Sequence, residues 1–320
     1  MNTARRVAVV QAGSVPFDPA ATTDKACALI HEAAAGDARL VVLPEAFLGT
    51  YPKGLTFGSP VGRRTPEGRE DFLTYFRGAV ELDGPELARV AEQARTDDVF
   101  VVIGTVERVG YTLYCTAVMI DPTDGIVGHH RKLMPTAGER LVWGFGDGST
   151  LPVVDTEVGR VGTVICWENY MPLMRAAMYQ QGVQVYCAPT ADDRDGWQAS
   201  MRHIALEGRC YVLSACQYLT RGDFPDDYRG VIGEAPDDVL MRGGSVIVGP
   251  LGDVLAGPSF DTEEILYAEV DLDEIVRSKL DFDPVGHYAR PDVFQLAVDA
   301  RAKVPVTLEH AAEVDEEAGT

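Results

Sequence analysis

Three short segments each end an apolar run in a side chain able to do covalent or proton-transfer chemistry. Val41-Val42-Leu43-Pro44-Glu45 sets a carboxylate directly after a buried strand and before Ala46-Phe47. Loss of water there would raise its pKa towards neutrality, as a general base or acid requires. Taken by itself, the segment also fits a surface glutamate closing a strand. His129-His130-Arg131-Lys132-Leu133-Met134-Pro135-Thr136 is either a basic surface loop or a strand end that turns Lys132 inward. An inward ammonium would stabilise developing negative charge. Val161-Gly162-Thr163-Val164-Ile165-Cys166-Trp167-Glu168-Asn169 ends a strand in a thiol, with a helix expected from Met171-Pro172. Strand, turn and helix in that order present a nucleophile beside backbone N–H groups. A base can deprotonate such a thiol and a cation can keep it as thiolate. A buried structural cysteine fits equally well.

Other chemistries are weaker. His129 and His130 are adjacent, which is not a ligand spacing, and no third ligand is evident, so no metal is expected. Gly144-Phe145-Gly146-Asp147-Gly148-Ser149 lacks both the P-loop lysine and the dinucleotide spacing and reads as a cluster of turns. Asp192-Asp193-Arg194-Asp195 offers a cation site or, more simply, a helix cap before Trp197. The six cysteines form no C-x-x-C pair. Four of the five besides Cys166 lie in apolar stretches, where cysteine behaves as a small hydrophobe. Reduced thiols point to the cytoplasm, and nothing calls for a cofactor.

Short apolar runs alternate with helical patterns and would place these side chains. Strands are expected at 6–12, 40–43, 99–106, 113–120, 161–165, 183–187, 211–215, 245–249 and 265–270, and helices at 23–35, 85–97, 173–181 and 196–207. Nearly continuous apolar strands between helices indicate an α/β layered fold with sheets covered on both faces. The Gly249-Pro250-Leu251-Gly252 turn inside 245–254 looks like a hairpin, so a mixed sheet fits better than a parallel one. No solenoid repeat appears, and a charged tail, Glu313-Val314-Asp315-Glu316-Glu317, closes the chain.

Composition sets the remaining bounds. The 320 residues are 46% hydrophobic and 24% charged, as in a soluble protein with a large core. No apolar run is long enough to span a membrane, and the N-terminal residues do not read as a secretory signal. A net charge of −21 with no basic cluster argues against nucleic acid and anionic membranes as partners.

Taken together, the three segments resemble the nitrilase branch of the carbon–nitrogen hydrolase superfamily, whose signature is a Glu-Lys-Cys triad in this chain order. The likeness extends through Leu133-Met134-Pro135-Thr136, Glu139-Arg140, Trp143-Gly144 and Gly146-Asp147-Gly148-Ser149. It continues in Cys166-Trp167-Glu168-Asn169, Met171-Pro172-Leu173, Ala188-Pro189-Thr190-Ala191-Asp192 and His203-Ile204-Ala205-Leu206-Glu207-Gly208, and ends in the block from Phe282 to Val293. The resemblance implies a four-layer α-β-β-α sandwich that pairs through helices into an eight-layer dimer, often extended into spirals. It implies a catalytic set of Glu45, Lys132 and Cys166 with Glu139 as a fourth, assisting carboxylate. A hydrolase domain at 1–283 and a C-terminal extension at 284–320 linked to oligomer formation follow from it. Tyr51, Trp143, Trp167, Tyr170, Pro189 and Thr190 flank these motifs as candidate pocket walls, or simply pack in the core. The run from Trp167 to Leu173 is similar to arylaliphatic or plant-like nitrilases. Phe145 departs from the glutamine common in relatives, and the 224–239 segment is unlike them, which puts an oligomer contact there in doubt. The implied reaction turns a small nitrile into its acid and ammonia. An amidase or carbamoylase, a cyanide hydratase, and a silent assembly protein are the alternatives.

Overall fold

The computed structural model describes residues 4–303, so the charged tail at 313–317 lies outside the described residues. The first half runs β1 (Arg5–Gln11), α1 (Pro19–Ala35), β2 (Leu40–Val42), α2 (Pro66–Gly78), α3 (Pro85–Asp97), β3 (Phe100–Val109), β4 (Thr112–Asp121) and β5 (Gly125–Arg131). The second runs β6 (Val153–Thr156), β7 (Gly159–Thr163), α4 (Pro172–Gln180), β8 (Val185–Cys187), α5 (Asp195–Gly208) and β9 (Tyr211–Ser214). It closes with β10 (Tyr218–Thr220), β11 (Val239–Val248), β12 (Val254–Phe260), β13 (Glu264–Val270) and α6 (Leu272–Ser278).

These strands form two mixed sheets. One is six-stranded in the order β13-β1-β2-β3-β4-β5, and the other is seven-stranded, β10-β11-β9-β8-β7-β6 with β12 on β11. The alternation of strand side chains sorts each strand's residues into two layers. Val7, Val9, Val42 and Val102 of the first sheet meet Val161, Val185, Leu213 and Ile247 of the second. Their neighbours Ala8, Val10, Val41 and Ile103 face Ile30 of α1 and Leu87, Val90 and Ala94 of α3. Across the molecule Tyr186, Val212 and Val246 face Met174 and Met178 of α4 and Trp197, Met201 and Ile204 of α5. The result is a four-layer α-β-β-α sandwich, and the burial of both faces of both sheets explains why the strands read as unbroken apolar runs.

Between whole strands of the described residues, parallel pairing joins β1-β2-β3 and β7-β8-β9. Chemistry in α/β sheets collects at the carboxyl ends of such strands. Here β2 runs into Glu45, β7 into Cys166 and β8 into Pro189-Thr190. The antiparallel β5 delivers Lys132 from the outer edge of the first sheet.

Sequence patterns missed α2, α6, β5, β6, β10 and β12. In α2 only Gly68, Tyr75 and Gly78 are buried, too sparse for a helical stripe. β5 carries two histidines and only one buried residue, His130. The hairpin around Gly249–Gly252 is present, but β11 starts at Val239, earlier than its apolar run. The expected aspartate cap on α5 is absent: Arg194 occupies that position and no side chain caps the helix. Asp192 instead binds Arg194 and Trp167, and Asp193 and Asp195 bind Arg242.

Gly104 on β3 is where the Glu45 loop comes closest to the sheet. A Cβ there would lie 2.2 Å from the Pro44 carbonyl oxygen and 2.6 Å from Glu45 Cα. Gly104→Ala should therefore lower stability by about 1–3 kcal/mol and push Glu45 out of place. Gly196→Ala, whose Cβ meets nothing within 4 Å, serves as the control. Chemical denaturation of both variants checks this; equal midpoints would contradict the close packing.

Candidate active site

The Glu45 loop turns sharply after β2, with Ala46 at φ 48°. The loop is held by Gln217, whose Nε2 donates to the Glu45 carbonyl at 2.9 Å. Glu45 itself is fully buried. Its Oε1 accepts from Lys132 Nζ at 2.6 Å and from the Cys115 thiol at 3.4 Å. Its Oε2 has no hydrogen-bond partner. Burial raises the Glu45 pKa above the ordinary glutamate value; Lys132 opposes this, Glu139 adds to it, and the Cys166 thiol opposes it weakly.

Lys132 is buried, its backbone N–H donating to the Cys115 carbonyl at 2.8 Å. Its ammonium lies between Glu45 and Glu139, donating to Glu139 Oε2 at 2.8 Å, and stands 5.5 Å from the centre of the Trp143 ring. Burial works against the charged form, but Glu45, Cys166, Cys115 and Glu139 outweigh it and hold the pKa well above that of an ordinary lysine. The group is an ammonium throughout the neutral range. Glu139 is fixed in turn by the Thr136 N–H on Oε2 (2.6 Å) and the Tyr51 hydroxyl on Oε1 (2.8 Å).

Cys166 opens a 3-10 turn, Cys166–Tyr170, that leads into α4. Its φ of 49° lies in the left-handed region, a strained conformation for a residue with a Cβ and one that clusters at functional sites. The turn is pinned by Cys166 N–H on the Pro189 carbonyl (2.9 Å) and by Asn169 Nδ2 on the Cys166 carbonyl (2.8 Å). The Thr190 hydroxyl donates to the sulfur at 3.2 Å. Cys166 shares one buried cluster with Ala46, Cys115, Ala117 and Trp143. Burial pushes the thiol pKa up and Glu45 pushes it further; Lys132 pulls it down without compensating. The resting sulfur is thus a thiol, contrary to the expectation of a cation-held thiolate, because burial first and the Glu45 charge second outweigh the ammonium.

The structure brings Glu45, Lys132, Glu139 and Cys166 together, and with them Thr190, Pro189, Tyr51 and Trp143. Trp143 lies beneath the ammonium with its Nε1 donating to the Tyr75 hydroxyl at 2.9 Å. Trp167 and Tyr170 are partly exposed at the outer side of the turn. The Trp167 ring bonds Asp192 at 2.8 Å and is covered by Arg194 at 4.8 Å. Tyr170 packs edge-on against Trp197 at 5.8 Å and lines a groove of about 280 Å³ with Arg175, Ser200 and His203. Phe145 is exposed, and Glu139 is fixed by Thr136 and Tyr51 instead.

Two features escaped the sequence patterns. Cys115 was indistinguishable from the other buried cysteines, because only the register of β4 under the Glu45 loop brings its thiol to Oε1. His130 and Glu168 are both fully buried and joined, Nε2 to Oε2, at 2.9 Å. His130 Nδ1 is 2.6 Å from the Thr150 carbonyl. Burial lowers the His130 pKa, but Glu168 and the Thr150 carbonyl outweigh burial and raise it. The signal was the two-residue offset of each from Lys132 and Cys166. Among the described residues no group of three His, Cys, Asp or Glu side chains could hold a metal.

The family model for carbon-nitrogen hydrolases matches residues 6–279. A nitrilase of Bradyrhizobium diazoefficiens is 61% identical over 94% of this chain and 94% of its own length. An aliphatic nitrilase of Sinorhizobium fredii is 59% identical over 94% and 97% respectively. A bifunctional nitrilase/nitrile hydratase of Nicotiana tabacum is 53% identical, covering 94% of this chain and 88% of its own. A solved carbon-nitrogen hydrolase from Helicobacter pylori has the same fold, with a TM-score of 0.72 at 22% identity over 92% of this chain and 97% of that one. With its four-layer sandwich and its match to the family model over nearly all the described residues, the chain belongs to the carbon-nitrogen hydrolase family.

Proposed function

We propose that the protein is a nitrilase, hydrolysing a nitrile to its carboxylic acid and ammonia through a covalent bond to Cys166. One observation carries the reading: a buried thiol stands beside a carboxylate with one unpartnered oxygen and an ammonium clamped between two carboxylates. The high identity to proteins named nitrilases supports it.

The steps follow from the charges. As sulfur attacks the C≡N carbon, its proton passes to Oε2 of Glu45, the oxygen left free by Lys132 and Cys115. The nitrile nitrogen becomes negative, is stabilised by the Lys132 ammonium and takes the proton from Glu45, giving a thioimidate. Glu45, again a carboxylate, takes a proton from water as its oxygen adds to that carbon. That proton goes to nitrogen, the remaining hydroxyl proton follows it by way of Glu45 as the carbonyl forms, and ammonia departs to leave a thioester. A second water adds in the same way and expels Cys166 as thiol with the acid. Splitting the reaction through a covalent intermediate replaces one hard addition by easier ones. Should the first tetrahedral intermediate expel sulfur instead of nitrogen, the product is the amide, the outcome named for the tobacco relative. Tyr51, Trp143, Pro189 and Thr190 would line the nitrile's pocket, with Trp167 and Tyr170 towards its outer edge.

The same reading carries assembly and location. A hydrolase unit of 1–283 and an extension of 284–320 used in assembly are proposed, together with a homodimer or larger oligomer pairing through helices. In the described part of the extension Phe294 and Leu296 are exposed, and the Lys303 N–H reaches Asp147 at 2.7 Å. All six cysteines are unpaired, which fits the cytoplasm. No described helix is long and apolar enough to cross a membrane.

Glu45→Gln should keep the fold and lose about 10²–10⁴-fold in kcat, while Cys166→Ala should abolish turnover. Acid, amide and ammonia quantified over a nitrile panel, with the matching amides alongside, check both. Cleavage of amides but not nitriles would turn the assignment to an amidase, and turnover surviving in Cys166→Ala would end it.

The base acts only when ionised, so activity is lost as pH falls through the Glu45 pKa. Because burial raises that pKa, the acid limb of kcat/KM should lie above the ordinary glutamate value of 4.5. A limb at or below that value would mean that a different, solvated group accepts the proton.

A further inference from the structure

We infer that the His130–Glu168 pair is a positioning device that ties the lysine-bearing strand to the nucleophile turn across the two sheets, an inference that rests on the proposed use of Lys132 and Cys166. His130 lies on β5 in the first sheet, two residues before Lys132. Glu168 lies in the turn after β7 of the second sheet, two residues beyond Cys166. The partners of both side chains are Thr150, Leu133, Ile165 and each other, and neither has a place in the proton transfers.

The geometry fixes the protonation of the pair. The Thr150 carbonyl can only accept, so His130 Nδ1 carries a proton towards it at 2.6 Å. A second proton must lie between Nε2 and Glu168 Oε2, 2.9 Å apart. With the His130 pKa raised, the pair is imidazolium and carboxylate. The carboxylate has two further donors, one from each side of the junction. Its Oε1 accepts from the Leu133 N–H at 2.6 Å, immediately after Lys132. Its Oε2 accepts from the Ile165 N–H at 3.1 Å, immediately before Cys166. One side chain thus holds the backbone on the neighbours of both reacting groups, and His130 holds that side chain. Lys132 and Cys166 come from different sheets, and among the described residues no hydrogen bond joins their side chains directly. Glu168 supplies the connection. A misplacement of about 1 Å in such a pair costs on the order of 10²-fold in rate.

Loss of a buried charge pair can also lower a rate simply by loosening the protein, and a second pair separates the two effects. Glu107 is buried, binds Arg131 Nε at 2.8 Å and the Thr116 hydroxyl at 2.7 Å, and stays within the first sheet. Glu107→Gln breaks a buried pair beside Lys132 without touching the junction.

The test compares Glu168→Gln, His130→Gln, Glu168→Asp and Glu107→Gln in the full-length protein. Each is assayed for kcat and KM per folded active site, thermal midpoint, and the rate of Cys166 alkylation by iodoacetamide. Glu168→Gln and His130→Gln should lose about 100-fold or more in kcat, with KM within about threefold and slowed alkylation. Glu168→Asp, which keeps the charge with a shorter reach, should recover part of kcat. Glu107→Gln should lower the midpoint yet keep kcat within about threefold. Equal kcat losses in Glu107→Gln and Glu168→Gln, or losses that vanish once corrected for folded protein, would overturn the inference. Alkylation reads the sulfur without any substrate, so failure of the nitrilase reading leaves this arm standing: unchanged alkylation in Glu168→Gln sinks the tie alone.

Discussion

A single ammonium held between two carboxylates sets the behaviour of the whole site. Lys132 lies 2.6 Å from Glu45 and 2.8 Å from Glu139, with all three side chains almost entirely out of water. Removing these charges from solvent is expensive, and only mutual pairing makes it tolerable. One positive and two negative groups leave an excess negative charge. That excess keeps Lys132 protonated, while burial chiefly lifts the Glu45 pKa and, together with the Glu45 charge, opposes ionisation of Cys166. Handing the sulfur's proton to Glu45 leaves the net charge of the pocket unchanged. Releasing it to solvent does not. On the proposed mechanism, the site therefore favours internal proton transfer at the moment of attack over a standing thiolate.

The rest of the fold serves that placement. Four layers bury both faces of both sheets, so the ends of β2, β5, β7 and β8 meet in a region dry enough for such interactions to be strong. Two of the residues held at positive φ, Ala46 and Cys166, lie at the same place. Gly104 lets the backbone of the Glu45 loop lie against β3. Oxygen by oxygen, the Glu45 carboxylate is oriented by Lys132 and Cys115, which leaves Oε2 free to be the acceptor of the proposed mechanism.

Much of this was legible in the sequence, for a physical reason. Runs such as Val41-Val42-Leu43 and Val164-Ile165 stop abruptly at Glu45 and Cys166, so a polar group at the end of a buried strand marks itself. The doubly covered sheets were readable from the same runs. Contacts created by register were not. Cys115 looks like any strand cysteine until β4 is laid beneath the Glu45 loop. His130 and Glu168 sit 38 residues apart, and only the packing of one sheet on the other makes them partners. α2 and β5 went unseen because each buries few residues. Asp192 to Asp195 resembled a helix cap, yet Trp167, Arg194 and Arg242 offered those carboxylates stronger partners.

The central claim is that sulfur and proton stay together until substrate arrives. Burial raises the pKa of each of the six cysteines, so none should contribute thiolate near neutrality. The direct measurement is a titration of the ultraviolet thiolate absorbance of the resting protein, taken as the difference from Cys166→Ala. The account predicts no Cys166 thiolate step until well into the alkaline range. A step at or below neutral pH that disappears in Cys166→Ala would contradict it.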